Sequence, residues 1–200
     1  MRGMWSQEEF SYEGTFYKVE KAHLEPKPVR KPWPTLYAGG ESEDAKQMIS
    51  RYCDGYLMHG DPPENVRPKV EEMESRRSNL GLGTMTYGVA AYVICRKSDA
   101  EVKKEIDRIC EVKDTAGYFG FKDFTTQSKL ERELSLRDYS VSNRGLRTGL
   151  TGTAEQIAER IIEFRNAGVE IFLMQMSPMM EEMERFAQEV IPLVNSSLSN

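Results

Sequence analysis

Apolar positions along this chain alternate between two periods, short continuous runs and helical repeats. The run Thr35–Gly39 reads as a buried strand. It passes through Gly39-Gly40 into a stretch where Ala45, Met48, Ile49 and Tyr52 recur at i, i+3, i+4 and i+7, the spacing of one helix face. A second short strand over Asp54–His59 is followed by a helix from about Glu64, with Pro68 tolerated near its first turn. A third strand, Thr86–Arg96, leads to a helix that Ser98 and Glu101 open as a capping box and that buries Val102, Ile106, Ile109 and Cys110. In the last unit Thr153 and Gln156 form a second capping box, and Ile157, Ile161 and Phe164 line one helix face. Gly168 ends that helix, Glu170–Met176 is a buried strand, and Ser177-Pro178 starts the terminal helix as its cap. Four strands alternating with amphipathic helices predict parallel βα units.

Two segments break the alternation. Phe10 to Lys18 alternates around Glu13-Gly14 and predicts a hairpin. Glu25 to Thr35 then places four prolines in eleven positions, so residues 1–34 read as hairpin and linker. Between the third and last units, residues 115–150 mix glycine, aromatic and charged residues without a period and read as a long insertion loop, which usually has a function. The organisation is therefore one domain: hairpin and linker, βα units over 35–114, the insertion, and a final unit over 151–197. A complete (β/α)8 barrel needs eight strands and typically about 250 residues. The chain opens with MRGMWSQEEF, which reads as the tail of a helix. Both a small open α/β sheet and the C-terminal half of a barrel fit the pattern.

Charge and cysteine usage exclude several classes. With 27 basic and 32 acidic residues intermixed, the net charge of −5 leaves no basic face for nucleic acid or an anionic membrane. The apolar runs are far shorter than the roughly 20 residues of a membrane span, and no signal-peptide pattern opens the chain, so a cytoplasmic protein is expected. Three cysteines without CxxC spacing suit reduced thiols, and no metal site is expected.

The stretch TLYAGGESEDA, Thr35 to Ala45, carries the main candidate chemistry. Gly39 and Gly40 permit close backbone approach, and Ser42 can cap a helix whose free N–H groups favour an anion such as phosphate. On the pattern alone, a turn of this kind without any ligand is the commoner reading. The crowded methionines from Met174 to Met183 read as core and as the floor of an apolar pocket.

These residues, with RGLRTGLTGTAEQIAERI and YSVSNRGLRTGL, make the chain resemble the bacterial luciferase-like flavin monooxygenases, within them the dimethyl sulfone monooxygenases, over about Trp5 to Leu193. The resemblance implies a TIM (β/α)8 barrel whose first strands are not in this chain, leaving four parallel βα units plus the hairpin and the long insertion. It implies reduced FMN delivered by a separate flavin reductase, O2, and a small organosulfur substrate cleaved to a sulfinate and an aldehyde. Copies of the complete protein are expected to associate. This chain alone is expected to be inactive. Hydride transfer with a deazaflavin, another small substrate, or a half-barrel without chemistry of its own are the rival readings.

Residue by residue, the resemblance places the flavin phosphate at Gly39, Gly40, Glu41 and Ser42. Glu41 stands where alkanesulfonate relatives have serine, and is expected to offer only its backbone N–H. Arg144 and Arg147 fall in a loop, Tyr139 to Leu150, that the resemblance makes a lid over flavin or substrate; two solvated arginines is the alternative. His59 closes the second strand at the end where barrels place their sites, as a proton-transfer candidate or as plain polar surface. Tyr92 and Ala90 stand where alkanesulfonate relatives have a histidine and an arginine, which favours an uncharged substrate; Tyr92 is otherwise a core aromatic. Ser177 replaces a tyrosine.

Overall fold

The computed structural model describes residues 1–111, 119, 135, 137 and 140–199. The chain divides into two compact units, Met1–Leu36 and Tyr37–Asn200. In the first, a helical turn at Arg2–Ser6 (α1) precedes an antiparallel hairpin of Phe10–Glu13 (β1) and Lys18–Ala22 (β2), as the alternation predicts. The proline-rich segment folds back on α1. The Arg2 guanidinium lies 4.6 Å over the Trp33 ring, and Lys27 donates to the Met4 carbonyl at 3.1 Å.

The second unit is built on a four-stranded, wholly parallel sheet. Tyr37–Ala38 (β3) pairs with Gly55–Met58 (β4), β4 with Thr86–Tyr92 (β5), and β5 with Ile171–Gln175 (β8). Between these strands run Glu43–Tyr52 (α2), Pro63–Asn79 (α3), Asp99–Ile109 (α4) and Ala154–Asn166 (α5). The chain ends in Met179–Arg185 (α6), a π-type turn at Phe186–Val190, and Ile191–Leu198 (α7). The four expected strands are present and connected in the expected order, but β3 and β8, expected to be buried, contain no buried residue because one face of the sheet is uncovered there.

Helices cover one sheet face. Tyr56, Met58, Tyr87, Val89 and Ala91 point to that face and pack with Ile49 of α2, Val66 and Met73 of α3, and Ile157, Ile161 and Phe164 of α5. Phe164 is fully buried and meets Phe172 edge-on at 5.4 Å; burial of one such side chain contributes about 1.5–3 kcal/mol. The in-register residues of the opposite face are small or open to solvent: Gly55, Gly88 and Ala90 beside Tyr37 and Leu173, which stay 43% and 46% exposed.

Several local expectations are corrected. The run from Thr86 to Arg96 is not one strand. At Val93 its partner changes, and Ile94–Cys95 (β6) pairs with Thr151–Gly152 (β7), which returns from the insertion. Hydrophobic periodicity registers burial but not a change of partner. The end of the insertion is not loop throughout, since Ser142–Thr148 forms a 3-10 helix; Tyr139 and most of residues 112–138 lie outside the described residues. On α2 only Ile49 of the predicted face is fully buried, and Met48 and Tyr52 are about half exposed. Ser177 does not cap α6: Pro178 takes the cap position with no side-chain bond. The Thr153–Gln156 box is complete, whereas Glu101 reaches the Lys97 N–H beside the Ser98 cap.

A buried charge cluster ties α6 to the strand end. Arg96 donates to both Glu182 oxygens at 2.8 Å and to the Cys95 carbonyl at 2.7 Å. Arg185 donates to Glu182 at 2.8 Å and to the same carbonyl at 3.0 Å.

Candidate functional site

The C-terminal ends of β3, β4 and β5 open into a cleft of about 320 Å³ lined by Gly39, Gly40, Leu57, Met58, His59 and Ala90, with Leu173 from β8. That is near the lower bound for small-molecule sites. Three of the predicted residues therefore share one cavity: the two glycines and His59. The turn is held in place by the Tyr56 hydroxyl, which donates to the Gly40 carbonyl at 2.9 Å, and by Ser42, whose hydroxyl accepts from the Ala45 N–H at 3.3 Å as the helix cap. Glycine at 40 is also a packing requirement. A Cβ there would lie 2.6 Å from that of Ala45, so valine at this position would shift the turn itself.

Glu41 turns its carboxylate into the protein. Its side chain and that of Arg144 are 8% and 4% exposed, and the two form an ion pair across 103 residues of chain. Lys69 of α3 stands 3.7 Å from Glu41 and 3.0 Å from Asp61, itself buried. Burial pushes the Glu41 carboxyl upward, but Arg144, Lys69 and His59 outweigh it and hold the group below its ordinary range. Arg144 adopts a left-handed backbone, φ 57°, in the 3-10 helix. This helix is pressed onto the end of β5 through two glycines: a Cβ on Gly60 would meet the Arg144 carbonyl at 2.4 Å, and one on Gly145 would meet the Tyr92 nitrogen at 2.6 Å. A solvated Arg144 is thus excluded. Nε and Nη1 of Arg144 are buried with no hydrogen-bond partner, and so is Oε2 of Glu41.

Other predicted residues fall elsewhere. Arg147 follows at the end of the 3-10 helix and is half-buried. Tyr92 is buried with Ile94, Val102, Val141 and Leu146, under the 3-10 helix and apart from the residues that line the cleft. Burial raises its hydroxyl pKa, against a hydrogen bond from Ser177. Lys69 and Asp61 were not singled out in the sequence: a lysine on a charged helix and an aspartate in GDPP carry no signal of the partners that the fold brings to them. A larger cleft of about 530 Å³ between α4 and α6 is lined by charged residues already bonded within it, among them Arg96, Glu105, Arg108 and Arg185.

A flavin phosphate fits this chemistry. The glycine turn and the capped N-terminus of α2 supply backbone N–H groups, and Arg144, tied to the turn through Glu41, keeps two unused guanidinium donors, all groups that a phosphate ester takes.

FMNH2-dependent dimethylsulfone monooxygenases of Pseudomonas putida and Pseudomonas fluorescens (strain Pf0-1) are each 31% identical over 202 residues, covering 97% of this chain and 55% of their own length. The EDTA monooxygenase of Chelativorans sp. BNC1 superposes with a TM-score of 0.74 at 18% identity, over 98% of this chain and 57% of its own. The chain thus spans about half the length of the relatives it matches, and its four parallel βα units form part of a luciferase-like barrel. The luciferase-like monooxygenase family matches residues 1–170, and the chain belongs to that family.

Proposed function

We propose that this chain is the flavin-binding part of a reduced-flavin-dependent monooxygenase acting on a small organosulfur compound, dimethyl sulfone in the first place. The observation that carries the reading is its 31% identity, over almost its whole length, with enzymes that bear that name. FMN, delivered reduced by a separate reductase in the cytoplasm, would supply the activation of O2: one oxygen atom goes to the substrate, the other to water, and dimethyl sulfone leaves as methanesulfinate and formaldehyde.

The chain's own residues bind, orient and shield. The turn Gly39–Ser42 and the N-terminus of α2 receive the phosphate, with Arg144 as counter-charge and Arg147 on the same 3-10 segment as its second arginine. Leu57, Met58, Ala90 and Leu173 exclude water from the cleft. Among the described lining residues only His59 carries an ionisable side chain, which supports a role in holding or passing a proton. A neutral substrate suits this lining, because a sulfonate would enter it without a paired cation. Tyr92 acts as a positioning residue, supporting the segment that carries Arg144.

The test is formaldehyde release from dimethyl sulfone with FMN, a flavin reductase and O2. A version extended by the missing βα units should release it in proportion to substrate, and the isolated chain should not. Release by the isolated chain at a similar rate would contradict the half-barrel reading, and none from the extended version would contradict the substrate.

A further inference from the structure

The unsatisfied atoms at the turn are of two kinds, and that mixture narrows the ligand. Arg144 leaves two buried nitrogens with hydrogens and no acceptor, which calls for an anion. Glu41, the next residue after Gly40 and bonded to the same guanidinium, leaves Oε2 buried without a donor. A bare phosphate dianion would satisfy the arginine and leave the glutamate oxygen worse off, since like charges would then face each other. Lys69 supports the carboxylate from behind at 3.7 Å, and its own contact with Asp61 at 3.0 Å keeps it there. The carboxylate is therefore held charged next to the anion site, not moved away from it.

We infer that Glu41 and Arg144 form one subsite for a hydroxyl-bearing anion, the glutamate Oε2 accepting from a ligand hydroxyl while the arginine nitrogens donate to the ligand's phosphate. The ligand class is a polyol phosphate ester. This deepens the flavin reading and rests on it, because the ribityl phosphate chain of FMN belongs to that class; it gives the Glu41 side chain a binding role beyond the backbone N–H of the turn.

The experiment measures binding of ribitol 5-phosphate, inorganic phosphate and FMN to this chain by calorimetry, for wild type, Glu41→Ala, Glu41→Gln and Arg144→Gln, with thermal melting as the check on folding. Wild type should prefer ribitol 5-phosphate over inorganic phosphate. In Glu41→Ala that preference should fall about tenfold, the worth of a hydrogen bond to a charged group. Inorganic phosphate itself should tighten, because a like charge has gone. Arg144→Gln should weaken both anions. Glu41→Gln keeps the shape without the charge, so it decides the matter if the alanine variant does not fold: inorganic phosphate should again tighten. A preference unchanged in the folded glutamate variants, both anions weakening together in them, or no preference in wild type would each overturn the subsite. Ribitol 5-phosphate bound with preference but FMN not bound would instead leave the subsite standing and refute the flavin reading.

Discussion

Two arginine–carboxylate clusters with a buried carboxylate lie at strand ends of this protein, and they are finished to different degrees. In one, Glu182 receives both Arg96 and Arg185, which also share the Cys95 carbonyl, and no buried side-chain atom of the three is left without a partner among the described residues. In the other, Glu41 and Arg144 satisfy one another once and leave three atoms unmatched. Burying polar groups costs free energy unless they are bonded, so a saturated cluster is an anchor, and an unsaturated one is stable enough to persist yet gains from a ligand. Removing a side chain should therefore cost stability at the first and binding at the second.

The largest effect expected is at the anchor. Glu182→Ala removes the buried carboxylate that Arg96 and Arg185 share and, with both arginines partly open to solvent, should lower stability by about 2–3 kcal/mol, read from urea unfolding. Arg144→Gln should cost less, because Lys69 stays 3.7 Å from Glu41 as its counter-charge and two buried donors without acceptors are removed. A larger loss for Arg144→Gln would reverse the assignment of roles.

Next in size is the contact that delivers Arg144. Gly145→Ala places a Cβ within 2.6 Å of the Tyr92 nitrogen, backbone that cannot yield cheaply. It should destabilise by about 1–3 kcal/mol and loosen FMN binding, measured by melting and by flavin fluorescence. Full FMN affinity in this variant would separate the 3-10 helix from the site.

The acid limb of stability sharpens the comparison further. The Glu41 carboxyl titrates below its ordinary value in the folded protein, so between the folded and unfolded pKa the unfolded chain binds more protons. The stabilisation is complete above the unfolded value, about 4.3, and is lost as pH falls through the folded one. Glu41→Gln should flatten the stability curve in that acid window and leave its shape at neutral pH unchanged. An unaltered acid limb would remove Glu41 from the charge cluster.

The smallest effect concerns reactivity. Burial, with Glu189 close by, pushes the Cys95 thiol up to about 11, so it stays protonated at pH 8. Iodoacetamide should label partly exposed Cys110 well before Cys95, which should react only on unfolding. Equal labelling, followed by mass spectrometry, would mean that the anchor opens.

What the sequence reveals and what it hides follow the range of the forces involved. Caps at Ser42, Thr153 and Gly168, and the four strands, are set by residues within a few positions of one another and could be read directly. The glycine turn and His59 were legible as candidates for the same reason, being local signals at strand ends. The pairing of Glu41 with Arg144 depends on a 3-10 helix docking 103 residues away, through glycines that look like ordinary loop residues. The change of partner at Val93 is likewise a product of chain return, invisible to periodicity.

The central claim is that the incomplete cluster at the glycine turn is a site for the phosphate of a flavin. Parallel fluorescence titrations of the chain with FMN and with riboflavin, which lacks only that phosphate, test it most directly. Tighter binding of FMN, with the gap closing in a folded Arg144→Gln variant, is the predicted result; equal affinity of wild type for the two flavins would contradict it.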